Sequence, residues 1–273
     1  MRSSLSQGSR MSEVPQLFSD GQAYERLMGR WSRVAGGQFL DWLALPKGLR
    51  CLDVGCGNGA FTEVLIAHSA PAAVTGIDPA EGQLAYARTR PGAKSAQFQA
   101  GSALELPFAD RSFDAALMAL VISFVPDPAK AAREMTRVVK PGGTVATYMW
   151  DIPGGGLPLE PIHVAMRSMG VDTPNPPGYA VSREDSMRAL WQQAGLAAVE
   201  TCTIRFEVVY SGFDDFWDSN SVPIGPAGQA IHRLPPERQS QLKAELRKQL
   251  PEGPNGRITY EACANAVKGR VPA

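Results

Sequence analysis

The sequence predicts an α/β protein built on a doubly wound, mostly parallel sheet. Three observations lead to this prediction. Apolar runs of strand length alternate with segments of helical periodicity, a glycine-rich turn follows the first apolar run, and a carboxylate ends the second. With 273 residues, of which 44% are hydrophobic, the chain is long enough to bury one large core.

The chain before the first strand predicts a helical cap. Residues 1–19 are polar, and we expect this terminus to be flexible. Over residues 20–45, apolar side chains recur at helical spacing, which predicts two helices broken near Gly36 and Gly37.

The next part of the chain, up to residue 150, predicts five strands with helices between them. Pro91 ends the second of these helices, and Asp127 followed by Pro128 is the N-cap and first turn of the third. The predicted strands span residues 50–54, 73–78, 96–100, 113–119 and 143–150, and the predicted helices span 59–68, 81–90 and 128–138.

Proline and glycine become frequent after residue 150, which predicts an irregular, partly helical insertion over residues 151–181. A helix over 182–194 and strands over 199–210 and 258–267 then complete the core. We expect both this insertion and the segment 211–256 to lie on the substrate side.

The segment 211–256 contains a charged helix with a narrow apolar stripe. Leu242, Leu246 and Leu250 lie four residues apart on one face of this helix. Because the rest of the helix is charged, we expect a solvated surface helix.

The turn after the first strand, DVGCGNG over residues 53–59, carries the most informative motif. Gly55 permits a sharp turn, Gly57 permits a ligand to approach the backbone, and Gly59 permits tight packing of helix and strand. The spacing G-x-G-x-G differs from that of dinucleotide-binding turns, and Asp53 would repel a pyrophosphate. A carboxylate here suits a ligand with an ammonium group. A glycine turn without a ligand is the alternative interpretation.

Asp78 ends the second strand, about twenty residues after the glycine turn. At this offset a carboxylate can accept hydrogen bonds from both hydroxyls of an adenosyl ribose. An aspartate that ends a strand is otherwise often a turn former or a helix cap. Together with the glycine turn, Asp78 predicts an adenosyl ligand.

Four motifs occur in one order and spacing: LDVGCGNG at 52–59, the strand that ends in Asp78, LPF followed by SFD at 106–114, and RVVKPGG at 137–143. Together they resemble class I S-adenosylmethionine-dependent methyltransferases, most closely the ubiquinone/menaquinone C-methyltransferase-like (type 11) enzymes. The resemblance covers residues 52–151. It implies a seven-stranded Rossmann-like sheet whose last strand runs antiparallel between strands five and six. It also implies S-adenosyl-L-methionine as cofactor and S-adenosyl-L-homocysteine as product.

The resemblance implies cofactor contacts on the glycine turn, at the ends of strands two and four, and in the segment after strand three. Many relatives have G-D-A in that segment, where this chain has Ser102, whose hydroxyl is a weaker acceptor than a carboxylate. The expected cofactor-binding residues are Tyr24, Arg33, Asp53, Gly55, Gly57, Asn58, Gly59, Thr62, Asp78, Pro79, Ser102, Ala103, Ala119 and Leu120.

The catalytic machinery is expected to be sparse. Many relatives carry one or two histidines before the sequence V-P-D, whereas this chain has LVISF at residues 120–124. We therefore expect catalysis by proximity, with no dedicated base at this position. His163 in the first insertion is a weak candidate for a base, and a solvated or structural histidine is the alternative.

Four aromatic side chains, those of Tyr24, Trp31, Tyr148 and Trp150, are candidates for the wall of an acceptor site. Ordinary core packing is the alternative for each of them.

Composition excludes several classes of function. Lys and Arg together number 27, as do Asp and Glu, so no net field attracts nucleic acid. The polar N-terminus lacks a secretory signal, and no apolar run is long enough to span a membrane. The four cysteines lack C-x-x-C spacing, so we expect free thiols and no metal site. A cytoplasmic monomer or homodimer is the expectation.

The sequence thus predicts methyl transfer to a small-molecule acceptor by in-line displacement. A non-catalytic protein that binds S-adenosylmethionine or S-adenosylhomocysteine is one alternative. Methylation of RNA or protein is another, and the neutral charge balance disfavours it.

Overall fold

The computed structural model of the protein describes residues 28–173, 175–223, 225–250 and 252–273. The strands are β1 (Arg50–Val54), β2 (Ala73–Asp78), β3 (Gln97–Ala100), β4 (Phe113–Ala119), β5 (Val139–Trp150), β6 (Ala197–Tyr210) and β7 (Ile258–Arg270). They form one seven-stranded sheet in the order β3-β2-β1-β4-β5-β7-β6. Strand β7 is antiparallel to both of its neighbours, and the other pairs are parallel.

Nine α-helices lie in the described part of the chain, and none of them is long and apolar enough to cross a membrane. They are α1 (Arg30–Leu43), α2 (Ala60–Ser69), α3 (Glu81–Ala87), α4 (Pro128–Val138), α5 (Glu160–Ser168), α6 (Glu184–Gln193), α7 (Phe213–Asn220), α8 (Gly225–Arg233) and α9 (Pro236–Gln249).

The structure confirms the predicted fold class and the antiparallel last strand. The predicted bounds of β1, β2 and β4 are confirmed residue for residue. The side chain of Asp127 accepts a hydrogen bond from the Lys130 amide at 2.8 Å, which confirms the N-cap of α4. Helix α3 ends three residues earlier than predicted, and a short 3₁₀ turn, Pro91–Ala93, follows it.

The predicted break at Gly36 and Gly37 is wrong, because α1 continues through both glycines. A Cβ atom on Gly36 would lie 3.2 Å from the Phe61 ring and 3.2 Å from the Tyr148 hydroxyl. The missing side chain therefore lets α1 approach α2 and the sheet closely. Here glycine serves packing between elements and does not end the helix.

Helices cover both faces of the sheet. Side chains alternate along β6, so that Phe206 and Tyr210 contact Trp31 of α1. Thr201 points to the opposite face, where it accepts a hydrogen bond from Arg188 of α6. Helices α1 and α2 thus pack together on one face, and α4 and α6 pack on the other.

The expectation of a solvated helix over the leucine stripe is wrong. Leu242 and Leu246 are both fully buried, and only Leu250 remains half-buried. Helix α9 packs against α5, the helix of the first insertion. The two insertions therefore contact each other. A narrow apolar stripe is enough to pack α9 against the protein, because one helix covers it.

We expect Leu246→Ala to lower the free energy of unfolding by about 2 to 5 kcal/mol, because the truncation leaves a cavity in a packed interface. Leu250→Ala is the matched control on the same stripe, and its cost should be clearly smaller because Leu250 is half-exposed. Urea unfolding of both variants measures the difference. Equal costs for the two substitutions would contradict the packing of α9 on α5.

Candidate active site

The glycine turn folds over the end of β2. The amides of Gly55 and Cys56 donate hydrogen bonds to the carbonyl of Ile77 at 2.8 and 3.1 Å. The φ angles of Gly55, Gly57 and Gly59 are +74°, +49° and +78°. Side-chain-bearing residues rarely adopt such angles, which explains why glycine occupies all three positions.

The three glycines differ in what surrounds them. A Cβ on Gly55 would lie 2.7 Å from Val121, and one on Gly59 would lie 3.0 Å from the Cβ of Ala87. Gly59 thus permits close packing against α3, and not against the strand as predicted. No atom lies within 4 Å of a Cβ built on Gly57. The turn is therefore open above Gly57, where a ligand can approach the backbone.

Asp78 is fixed by backbone amides at the end of β2. Its Oδ2 accepts a hydrogen bond from the Gly57 amide at 2.9 Å, and its Oδ1 accepts one from the Ala80 amide at 2.9 Å. Burial raises the pKa of Asp78, although both hydrogen bonds oppose this rise. A carboxylate oxygen has two lone pairs, so each oxygen can accept one more hydrogen bond.

Asp53 is fully buried below the turn. Its Oδ2 accepts a hydrogen bond from the Thr62 hydroxyl at 2.6 Å, whereas its buried Oδ1 has no partner among the described residues. Burial is the main reason why the pKa of Asp53 rises to about 7. The Thr62 hydrogen bond lowers this pKa, and the charge of Asp78 raises it. Thr62 thus orients Asp53.

The other predicted residues of the cofactor half lie around the carboxyl-terminal edge of the sheet, where the parallel strands β1 to β4 end. The side chain of Asn58 accepts a hydrogen bond from the Ala60 amide at 3.1 Å and so caps the start of α2. The hydroxyl of Ser102 is exposed and accepts a hydrogen bond from the Leu104 amide at 3.1 Å. Pro79 is exposed, and Ala103 is half-buried.

The end of β4 closes the edge with an unusual backbone. Leu120 has a φ angle of +62°, in the left-handed region that non-glycine residues rarely occupy. Its amide donates a hydrogen bond to the Tyr148 carbonyl at 2.9 Å. The next residue, Val121, packs against Gly55, so the strained residue joins β4 to the glycine turn. Ala119, the last residue of β4, is half-buried beside it.

Two of the predicted cofactor-binding residues remain. Tyr24 lies outside the described residues, and Arg33 is exposed on α1. The guanidinium of Arg30 lies 4.5 Å from the Trp31 ring and 4.3 Å from the Tyr210 ring, on the β6 side.

The weak candidate for a base, His163, lies in α5. Burial lowers the pKa of its ring, and the charges of Glu160 and Arg167 act on it in opposite directions. The imidazole is therefore neutral near pH 7.

The three aromatic candidates that the structure describes do not form one wall. Trp31 and Trp150 both pack against Phe206. Their ring centroids lie 6.3 and 5.8 Å, respectively, from the centroid of the Phe206 ring. Tyr148 belongs to a separate core cluster, where its ring centroid lies 4.7 Å from that of Phe39. Sequence reasoning missed Phe206, which alternates with polar residues in β6 and carried only that signal.

Comparison with known proteins identifies the family. A sequence profile described as "Methyltransferase domain" matches residues 52–147. An uncharacterized protein of Mycobacterium tuberculosis is 31% identical over 217 residues, which cover 76% of this chain and 75% of that protein. The chain belongs to the class I S-adenosylmethionine-dependent methyltransferases.

Two further comparisons agree with this family. The demethylmenaquinone methyltransferase of Staphylococcus aureus is 39% identical over 105 residues, which cover 38% of this methyltransferase and 44% of the relative. The crystal structure of the YcgJ protein from Bacillus subtilis shares the fold, with a TM-score of 0.58 at 18% identity. That match covers 88% of this chain and 98% of the solved one.

The edge described above fits the cofactor of this family. S-adenosylmethionine carries a methyl group on a positively charged sulfonium and, when bound, supplies that methyl group in activated form. We propose that Asp78 accepts hydrogen bonds from the ribose hydroxyls and that the open backbone at Gly57 lies against the ligand. We further propose that Asp53, through its unpartnered Oδ1, supplies negative charge for the ammonium group.

We expect Gly57→Val to abolish binding of S-adenosylhomocysteine, because the side chain would fill the open face of the turn. Gly48→Val is the matched control. Gly48 has a φ angle of +79°, no neighbour within 4 Å of its Cβ, and lies at the opposite end of β1. Both variants should lose similar stability, about 1 to 3 kcal/mol of backbone strain. If calorimetric titration shows that folded Gly57→Val binds S-adenosylhomocysteine with unchanged affinity, the turn has only a structural role.

The raised pKa of Asp53 predicts a pH dependence with a definite sign. Folding favours its protonated form, so its contribution to stability is lost as the pH rises through about 7. Unfolding free energies measured between about pH 5 and pH 8 should fall less for Asp53→Asn than for the unsubstituted protein. Affinity for S-adenosylhomocysteine should rise over the same range, and Asp53→Asn should lose this rise. Parallel pH profiles of the two proteins would contradict the assignment.

Proposed function

We propose that this methyltransferase transfers the methyl group to a small, partly apolar acceptor that is held in a covered site. The observation that carries the proposal is the contact between the first insertion and the loop after β4. The amide of Gly178 donates a hydrogen bond to the Ser123 carbonyl at 2.9 Å. A Cβ on Gly178 would lie only 3.2 Å from that carbonyl, so the two segments are in close contact. A covered end of β4 favours a small acceptor over a macromolecule.

Buried aromatic side chains on the α1 face of the sheet favour a flat or apolar acceptor. Trp31, Trp150 and Phe206 join α1, β5 and β6 on one face of the sheet. Aromatic faces bind planar apolar molecules by stacking and by burial of area. The demethylmenaquinone methyltransferase of Staphylococcus aureus, by its name, acts on a quinone-type molecule. Its similarity covers only 38% of this chain, so it supports a small-molecule acceptor and no particular compound.

The residues of this chain contribute positioning and exclusion of water. The loop after β4 carries Ser123, whose buried hydroxyl has no partner among the described residues, and contains no histidine. A hydroxyl is a poor base near neutral pH, so proximity and orientation must supply most of the acceleration. A covered site adds to this by keeping water away from the reacting groups.

We expect turnover with at least one small acceptor when S-adenosylhomocysteine formation is measured with labelled S-adenosylmethionine. The acceptor panel is a naphthoquinol, a phenol, an aromatic amine, total RNA and a denatured protein mixture. Asp78→Ala should strongly reduce the signal at a subsaturating concentration of S-adenosylmethionine, since removal of a charge-assisted acceptor costs about 2 to 3 kcal/mol of cofactor affinity. Asp114→Ala is the control. Asp114 also accepts a hydrogen bond from a backbone amide, that of Arg50, but it lies at the amino-terminal end of β4, away from the glycine turn.

The outcomes separate three functions. Methylation of a small acceptor supports the proposal, and methylation confined to RNA or protein contradicts it. Tight binding of S-adenosylhomocysteine without turnover on any acceptor would favour a non-catalytic binding protein.

A further inference from the structure

Arg90 is a buried cation just after α3, and only 7% of its surface is exposed. Its Nε donates a hydrogen bond to the backbone carbonyl of Asn58 at 2.6 Å. Its Nη1 forms an ion pair with the Glu63 carboxylate at 3.1 Å. A guanidinium that leaves water loses much hydration energy, so its interactions with buried partners must compensate for that loss.

Glu63 holds the guanidinium from the first turn of α2. Its second carboxylate oxygen accepts a hydrogen bond from the Gly92 amide at 2.8 Å. A Cβ on Gly92 would lie 2.5 Å from the Glu63 side chain, so glycine is needed beside the carboxylate. The Arg90 guanidinium also lies 5.4 Å from the centroid of the Tyr86 ring. Side chains from α2 and α3 thus converge on this cation, and a backbone amide of the 3₁₀ turn holds Glu63 beside it.

The carbonyl that Arg90 binds belongs to the glycine turn itself. Asn58 lies between Gly57, whose amide is held by Asp78, and Gly59, whose amide donates to the Cys56 carbonyl at 2.9 Å. The hydrogen bond from Arg90 therefore fixes the peptide that follows the open face of Gly57. It does so without filling that face, because no atom of Arg90 lies within 4 Å of a Cβ built on Gly57.

We propose that Arg90 is a positioning residue of the cofactor site, which acts through the Asn58 carbonyl. A turn with three glycines loses much conformational freedom when it is held in one shape. Because Arg90 and Asp78 hold it before the ligand arrives, less of that entropy is lost on binding. The proposal rests on cofactor binding at this turn and not on the identity of the acceptor.

Three variants test the proposal by calorimetric titration with S-adenosylhomocysteine at a temperature where each variant is folded. Arg90→Met removes both contacts, Arg90→Lys keeps the charge but loses the fork geometry, and Glu63→Gln keeps the donor to Asn58. We expect Arg90→Met to weaken binding about tenfold or more, the scale of a hydrogen bond from a charged donor. Arg90→Lys should fall in between, and Glu63→Gln should weaken binding least.

Arg88→Met is the matched control, because Arg88 pairs with Glu81 on the exposed side of the same helix end. Its affinity should stay within about twofold of the unsubstituted protein. The 15N chemical shift of the Gly59 amide gives a second readout, since this nitrogen belongs to the peptide of the Asn58 carbonyl. It should move in both Arg90 variants and stay in Arg88→Met.

Arg90→Lys decides the matter if Arg90→Met does not fold. Affinity within about twofold for either folded Arg90 variant, or an unmoved Gly59 resonance, would overturn the proposal. If the unsubstituted protein binds S-adenosylhomocysteine but methylates no acceptor, the role of Arg90 stands and only the proposed function fails.

Discussion

The active-site edge depends on one constraint, the return of the chain from β1 across the end of β2. The Ile77 carbonyl accepts two amides of the glycine turn, and the Asp78 carboxylate accepts a third. These bonds require positive φ angles at three positions and so dictate glycine there. They also fix the position of Asp78, whose carboxylate keeps lone pairs for further hydrogen bonds. Turn and carboxylate are therefore one unit, and neither holds its geometry without the other.

The same edge concentrates negative charge in a place where burial disfavours it. Burial raises the pKa values of Asp53 and Asp78, and the charge of Asp78 further raises the pKa of Asp53. An isolated protein gains nothing from such an arrangement. In the proposed binding mode, a ligand with an ammonium group and a sulfonium would offset the cost of ionising these two acids.

The acceptor side is built from different chemistry. There the side chains are aromatic, and the guanidinium of Arg30 lies close to both the Trp31 and the Tyr210 ring. Cover comes from the first insertion, whose Gly178 contacts Ser123, and α5 of that insertion is packed on α9. Since these contacts link segments far apart in the chain, the covered site is a product of tertiary packing. Under the proposed function, cofactor binding and acceptor recognition would be carried by separate parts of one sheet.

Local sequence determined much of this protein. Strands β1, β2 and β4, the glycine turn, the Asp127 cap and the strand-end Asp78 all follow from residue type and spacing within a few positions. Tertiary structure alone decided that Gly36 continues a helix, that Leu246 is buried, and that Leu120 adopts a left-handed conformation. It also paired Arg90 with the carbonyl of Asn58, which lies 32 positions earlier in the chain. Periodicity and turn chemistry report short-range geometry, whereas these features depend on partners that only the folded chain brings together.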